Sequence, residues 1–319
     1  MRMSEEMAKR AIITVLFSLL LNGGPAPGTA TAGVTARYLY NLSNFSGTIP
    51  YDSNISFVDW NTNEVFVVAA GSVSIFNESG MEVFTFGEDL QIGVIRDAAV
   101  ESDGHILLLT YVGDTYRLTR CNFRGEPRSR IEISGLPGEY DGFSPTRILS
   151  RTGRLYLADL YRKKIVVTDA DGVFQEGYDL APFVADPEDM SEGGKAVRSF
   201  AVDKEGNLFF TVPELFRVFR LSPERHLSSF GEPGNLPGKF NIVSGIAVDE
   251  RGFIYVTDTL RCVVAVFDKD FNFETQFSHR GLGPGSLIAP KHLMVDKKGR
   301  VYVSQTRRRG ISVFQVSFN

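Results

Sequence analysis

The chain has 319 residues, of which 43% are hydrophobic and 12% aromatic, and its formal net charge is −4. This length is enough for two average domains or one large all-β domain, and the apolar fraction allows a full core. The weakly acidic balance gives no reason to expect a nucleic-acid partner. Two cysteines are too few for a disulfide-stapled scaffold, so the hydrophobic core has to hold the fold.

The first 32 residues have the three-part layout of a secretory signal peptide. A basic stretch precedes the apolar run AIITVLFSLLL, and small residues with Ala30 and Ala32 at the cleavage pattern follow. We therefore expect export to the periplasm or the cell exterior, and no integral membrane segment in the mature chain 33–319. An uncleaved membrane anchor is the alternative interpretation of the same segment.

A short pattern recurs along the rest of the chain: an apolar run, an acidic or hydroxyl anchor, a turn that usually has glycine, and a second apolar run. The clearest copies read AVDKEGNLFFTV, AVDERGFIYVTD and MVDKKGRVYVSQ, and three weaker copies precede them. Intervals of roughly 40 to 55 residues indicate a repeat architecture. The six anchors are Asp59, Glu101, Ser150, Asp203, Asp249 and Asp296.

Each copy predicts a tight β-hairpin. The anchor side chain can accept hydrogen bonds from turn N–H groups, and glycine can take the left-handed conformation that the turn requires. A third run such as VVAVF follows, and usually a fourth, more polar run such as NFETQF. Four short antiparallel strands repeated six times predict an all-β, six-bladed β-propeller. The sixth unit has only three runs, so we expect the N-terminal strand 36–45 to complete the last blade.

The repeats resemble those of NHL-repeat propellers over nearly all of residues 36–319. The segments 230–268 and 277–315 carry the resemblance best, because both have the glycine-rich approach, the acidic hairpin turn and a third strand that ends in Val-Phe. The loop that names the family differs, since Leu260-Arg261-Cys262 stands where Asn-His-Arg is common. The resemblance implies the propeller fold, but it does not carry a function over, because this fold hosts enzymes, sensors and binding platforms.

Basic residues gather on one side of the predicted propeller. The loops between second and third strands share a face, here called the loop face, with the starts of the innermost strands; the opposite, hairpin face carries the anchor turns and many acids. We expect the loop face to dock an anionic partner. Its basic residues are Arg162, Lys163, Lys164, Arg261, Arg307, Arg308 and Arg309 in the loops, and Arg96, Arg147, Arg198, Lys291 and His292 at the strand starts.

A catalytic site in the central channel is the alternative. Peptidyl-amidoglycolate lyases resemble this fold and use histidine-bound zinc, which needs about three converging ligands. The four histidines fall at different repeat positions, and only His292 starts an innermost strand. Gluconolactonase-like propellers use channel carboxylates, for which the register offers Asp97 and Asn54, with Asn241 as a further candidate. A metal-assisted lyase or hydrolase that uses His292 and Asp97 is therefore the second hypothesis.

The first hypothesis is an exported, monomeric, non-catalytic binding propeller whose partner is a protein with an acidic surface or another anionic molecule. It assigns no catalytic residue, metal ligand or cofactor. RNA binding by a basic propeller face is set aside because of the export signal. We also expect Cys121 and Cys262 to be free thiols, since the second and fifth repeats lie across the ring from each other.

Overall fold

In the computed structural model of the chain, Val34–Ser317 forms one compact unit. The predicted signal peptide 1–32 and the loop 307–309 lie outside the described residues. Among the described residues, no helix has the length and apolar character needed to cross a bilayer. The structure describes residues 33–44, 47–48, 54–59, 62–69, 71–87, 92–184, 195–306 and 310–318.

The unit is a six-bladed β-propeller, in which six four-stranded antiparallel sheets, the blades, form a ring. Blade 1 comprises β4 Asn54–Val58, β5 Val65–Ala69, β6 Ser72–Phe76 and β7 Glu82–Phe86. Blade 2 comprises β8 Val94–Val100, β9 Ile106–Val112, β10 Thr115–Cys121 and β11 Pro127–Ile131. Blade 3 comprises β12 Arg147–Arg151, β13 Arg154–Asp159, β14 Lys164–Asp169 and β15 Phe174–Asp179.

The remaining blades follow the same strand order from the inside of the ring outwards. Blade 4 comprises β16 Ser199–Val202, β17 Leu208–Val212, β18 Arg217–Leu221 and β19 Leu227–Phe230. Blade 5 comprises β20 Val243–Val248, β21 Ile254–Asp258, β22 Val263–Phe267 and β23 Phe273–Phe277. Blade 6 comprises β24 Pro290–Val295, β25 Arg300–Gln305, β26 Ile311–Phe318 and the N-terminal strand β1 Val34–Asn41.

The connections add little regular structure. They contain the short hairpin of β2 Ser43–Asn44 and β3 Gly47–Thr48, the 3₁₀ turns Gly138–Tyr140 and Pro213–Leu215, and a one-turn helix at Ala181–Val184. The six-bladed propeller closed by the N-terminal strand is confirmed, because β1 pairs with β26 at the outer edge of blade 6. The hairpin β2–β3 was not predicted.

The anchor turns at Asp203, Asp249 and Asp296 are built as the sequence pattern predicts. Asp249 Oδ1 accepts hydrogen bonds from the backbone N–H groups of Arg251 and Phe253, each at 2.9 Å. Gly252 has φ of 89°, a left-handed conformation that costs other residues energy. These carboxylates are therefore part of the turns, which is why a row of similar acids on the hairpin face is no catalytic set.

Burial explains why the blades stack. All five residues of β21 are buried, whereas only one of the five residues of the outer strand β23 is buried. The buried clusters draw side chains from two neighbouring blades, and the cluster between blades 6 and 1 joins Val65 and Val67 to Ile311. Neighbouring sheets thus bury their apolar side chains against each other and remove them from water.

Arginine side chains also connect neighbouring blades. Arg120 donates to the carbonyl oxygen of Ala170 at 2.7 Å, and Arg220 donates to that of Lys269 at 3.0 Å. Arg300 reaches the carbonyl oxygen of Glu78 at 2.8 Å, which links the last blade to the first. These basic residues have structural partners within the ring.

Both cysteines are buried and free, as predicted. Burial raises the pKa of the Cys121 thiol to about 11, so this thiol is protonated and unreactive at neutral pH.

Candidate functional site

The candidate site is a cavity of about 770 Å³ on the loop face, where the innermost strands begin. Blades 1, 2, 3, 4 and 6 each contribute residues to its lining. A concave site of this size, apolar with a few polar groups, is the usual form of a ligand pocket. Its charged and titratable lining residues are Arg96, Arg147, Arg198 and His292, together with the phenol of Tyr111.

Arg96 reaches the cavity because the innermost strand of blade 2 is bulged. The pairing of β8 with β9 shifts register between Ile95 and Asp97, which leaves Arg96 as the extra residue. Bulges commonly redirect a side chain beside a functional site. The guanidinium carbon of Arg96 lies 5.8 Å from the centre of the Tyr111 ring, within the range of a cation–π contact. Tyr111 is held in turn by hydrogen bonds of its hydroxyl with Ser144 Oγ and the Pro145 carbonyl oxygen.

Arg147 is oriented from the neighbouring blade. Its Nε lies 3.0 Å from Oδ2 of Asp97, and the backbone N–H of Ile148 donates to the same oxygen at 2.9 Å. Asp97 is fully buried, while the Arg147 side chain is 22% exposed. The buried carboxylate therefore fixes the inner end of the guanidinium and leaves its outer nitrogens towards the cavity.

Arg198 lies just before β16 on blade 4, and its residue is exposed. Its backbone N–H donates to the Thr211 carbonyl oxygen at 2.9 Å, which anchors the main chain at this point. Within the described residues, no hydrogen bond or ion pair engages the guanidinium groups of Arg96 and Arg198. Two of the three cavity arginines are thus without a protein acceptor in that part of the chain.

His292 also comes from a bulged strand. The pairing of β24 with β25 shifts register between Pro290 and Leu293, so Lys291 and His292 leave the regular ladder. Burial, together with the positive charges of Arg147, Lys291 and Arg198, lowers the pKa of the His292 imidazole to about 3. The ring is neutral at physiological pH, so one of its nitrogens can donate a hydrogen bond and the other can accept one.

Four other predicted loop residues lie outside the cavity lining. Arg162 pairs with Asp159 of its own loop at 3.1 Å, and Arg261 donates to the Lys239 carbonyl oxygen at 2.6 Å. Lys164 donates to the carbonyl oxygen of Glu139, and Lys163 has a positive φ of 59° in the same loop. These contacts give the loops their shape. Lys291 is exposed beside His292 but does not line the cavity, and Arg307, Arg308 and Arg309 fall outside the described residues.

The carboxylate alternative finds no support in the described lining. Asp97 is committed to Arg147 and Ile148, and Asn241 donates through its side chain to Asn235 Oδ1 at 2.6 Å. The side chain of Asn54 is outside the described part. Calcium takes carboxylate and carbonyl oxygens, and zinc needs about three histidine, cysteine or carboxylate ligands. The described lining offers one histidine and three guanidinium groups that repel cations, so these residues do not fit a calcium or zinc ion.

A group of possible metal ligands lies elsewhere, on the hairpin face of blade 2. It consists of Glu101, Asp103 and His105. Glu101 already accepts from Nε and Nη2 of Arg120 at 2.6 and 2.9 Å, and Asp103 lies 2.9 Å from Nδ1 of His105. These contacts explain why the three side chains lie close together: they are part of the turn.

The charges at the hairpin end of the ring are paired more completely. A second cavity of about 410 Å³ there is lined by Arg151, Lys204 and Lys297 together with the acids Asp59, Glu101 and Glu250. Nη2 of Arg151 lies 2.8 Å from Oε1 of Glu250, so the pair joins blades 3 and 5 across this end. Among the described residues, the unbalanced positive charge is therefore at the loop face.

Comparisons with known proteins show the fold alone. No protein-family model and no curated protein matches the sequence. A streptogramin B lyase is 15% identical, with a TM-score of 0.56, and the match covers 89% of this chain and 98% of that one. A gluconolactonase from Xanthomonas campestris is 13% identical, with a TM-score of 0.56 and coverage of 89% and 90%. The calcium-binding protein regucalcin from Agrobacterium tumefaciens is 14% identical, with a TM-score of 0.55 and coverage of 88% and 98%.

These structures confirm the propeller, and membership of the NHL-repeat family stays a prediction.

Proposed function

We propose that the chain is an exported, NHL-type binding propeller that holds the anionic group of its partner in the loop-face cavity. The observation that carries the proposal is the convergence of Arg96, Arg147 and Arg198, from three blades, on one cavity. Their positions are about 50 residues apart in the sequence. The partner expected is a protein with an acidic surface or another anionic molecule.

The electrostatics support this function. Arginine presents several N–H donors in a planar fork that matches carboxylate and phosphate groups, and the interaction strengthens where water is partly excluded. The protein as a whole carries a net charge of −4, so a positive cavity would also select the orientation in which an anionic partner arrives. The predicted loop residues Arg162, Lys163, Lys164 and Arg261 would surround this anchor as a rim.

The test is affinity capture from the exported fraction of the native host, with residues 33–319 as bait. A variant that carries Arg96→Glu and Arg198→Glu should lose the captured partner, and higher salt should weaken capture by the wild type. Arg217→Glu is the matched control, because Arg217 is exposed at the start of β18 but does not line the cavity. Capture that is indifferent to the double variant would contradict the proposal.

A triple variant of Arg307, Arg308 and Arg309 to Glu tests the remaining predicted loop in the same assay. N-terminal sequencing of the exported form tests the proposed cleavage, with Gly33 expected as the first residue.

The second candidate is a channel enzyme that acts on an anionic substrate. It is favoured by one observation, the position of His292 in the lining, where the unprotonated nitrogen of its neutral imidazole can accept a hydrogen bond from a substrate; the lowered pKa makes it a weak base at neutral pH. Neighbours in fold include a lyase and a gluconolactonase. A metal-assisted version, which the described cavity residues do not fit, would hold a stoichiometric metal after purification and lose activity on chelation, whereas a binding propeller would keep its captured partner in chelator.

A further inference from the structure

We propose that the natural ligand of the loop-face cavity is a small amphipathic dianion, with a compact doubly charged head and an apolar body. This inference rests on the proposed function and specifies the class of ligand that the same site takes. The expected ligand is a small molecule that the cavity encloses. Binding of a macromolecule that only covers the loop face is the alternative outcome of the test.

The charge of the ligand follows from the charges that line the cavity. Arg96, Arg147 and Arg198 contribute three positive charges, and the buried Asp97 compensates one of them through Arg147. His292 is neutral and adds none. Within the described lining, about two positive charges are left to be balanced, which matches a phosphate monoester or a dicarboxylate better than a monoanion.

The head is expected to bind where the arginines are already held in place. Asp97 restrains Arg147, and the Tyr111 ring lies beside Arg96, so two guanidinium groups lose little freedom when an oxyanion arrives. Preorganisation of this kind increases affinity because less entropy is lost on binding. The third guanidinium, of Arg198, completes the set from blade 4.

The body of the ligand follows from the volume and the walls. A cavity of about 770 Å³ lies in the range that holds drug-sized ligands and greatly exceeds the volume of a bare phosphate ion. Apolar side chains from four blades form the walls beside the arginines: Val68, Val94, Ile95, Leu160 and Phe200. A ligand that was all charge would leave this apolar surface wet, so a short hydrocarbon or aromatic body gains additional burial.

Calorimetric titration at pH 7.5 and low salt tests the inference with four probes of defined chemistry. Phenyl phosphate combines a dianionic head with an apolar body, inorganic phosphate lacks the body, benzoate lacks the second charge, and benzyl alcohol lacks charge altogether. We expect phenyl phosphate to bind at least about tenfold more tightly than each of the other three. Phenylsuccinate, a dicarboxylate with the same body, distinguishes a phosphate head from a dicarboxylate head.

Variants assign the binding to this cavity. Arg198→Leu should weaken phenyl phosphate by about tenfold or more, because a charge-assisted hydrogen bond is lost. Leu160→Ser should weaken phenyl phosphate while leaving inorganic phosphate unchanged. Arg217→Ala, on the same face but outside the cavity, should leave every probe unchanged.

Each contrary result overturns a stated part. If inorganic phosphate binds as tightly as phenyl phosphate, the ligand needs no apolar body. If benzoate binds as tightly, the ligand need not be a dianion. If Arg198→Leu leaves the affinity unchanged, the cavity is not the binding site. If no probe binds but an acidic partner is still captured through Arg96 and Arg198, the ligand class is wrong and the proposed function stands. If both assays fail, both proposals fall.

Discussion

Asp97 controls the geometry of the cavity although it does not line it. Its carboxylate is fully buried between blades 2 and 3, where it meets Nε of Arg147 and the N–H of Ile148. An ionised carboxylate in such a place needs its partners, since removal of one partner leaves a buried charge uncompensated. The same contact orients Arg147 and joins the two blades, so one ion pair serves both stability and the site.

We predict that Arg147→Ala lowers the free energy of unfolding by about 3 kcal/mol, because Asp97 is then left buried without its cation. Arg198→Ala, a change of the same size at an exposed arginine that forms no ion pair with the described residues, should cost less than about 0.5 kcal/mol. Urea unfolding measures both. Adding Asp97→Ala to Arg147→Ala should recover part of the loss, and a strictly additive double variant would contradict the coupling.

The innermost strands are the elements that shape the site, because several of them begin irregularly. β8 and β24 shift register near their starts, and β20 shifts between Val243 and Ile246. Between blades 5 and 6 the backbones come very close. A Cβ atom on Gly245 would lie 2.5 Å from the carbonyl oxygen of Lys291 and 2.9 Å from Cα of His292. The absence of a side chain at Gly245 therefore lets the His292 segment sit where it does.

We predict that Gly245→Ala displaces this segment, costs about 1 to 3 kcal/mol of stability through overpacking, and weakens anion binding at the loop face. Gly283→Ala is the control, because no heavy atom lies within 4 Å of a Cβ built there and its backbone is not left-handed. Thermal unfolding and the phenyl phosphate titration measure the two effects. Wild-type stability in Gly245→Ala would show that the two backbones can move apart freely.

The whole molecule depends on closure of the ring between its first and last blades. β1 pairs with β26, the cluster of Val65 and Ile311 fills the space between the blades, and Arg300 contacts both Asp296 and the Glu78 carbonyl oxygen. Closure removes an edge that would otherwise expose unpaired N–H and carbonyl groups. It also holds loop-face residues of five blades around one cavity.

We predict that a chain beginning at Leu42, which lacks β1, melts roughly 5 to 10 °C lower than one beginning at Gly33 and self-associates through the exposed edge of β26. The two chains differ by one strand and keep all the cavity arginines. Calorimetry measures the melting temperature, and light scattering measures the association. Equal melting temperatures and a monomeric shorter chain would show that β1 is dispensable for closure.

The sequence by itself determined the architecture of this protein, because the fold repeats a local rule. The Asp249 type of turn is encoded within about a dozen residues, where the acid caps the turn and glycine takes the left-handed conformation. Six such units and an additional N-terminal strand can form a closed ring in which the N-terminal strand completes the sixth blade. Loop-face placement of Arg96, Arg147 and Arg198 followed from the same register.

Only the tertiary structure decided which of the basic residues share a cavity. Arg162, Lys164 and Arg261 carry the same charge as the cavity arginines. Their side chains instead contact the Asp159 carboxylate and the carbonyl oxygens of Glu139 and Lys239, respectively. The register separates the loop residues from those at the strand starts, but it does not show which of them share a cavity, since convergence depends on bulges and on contacts between residues far apart in the chain. For the same reason Asp97, expected from its position to face the channel, turns out to support Arg147 instead.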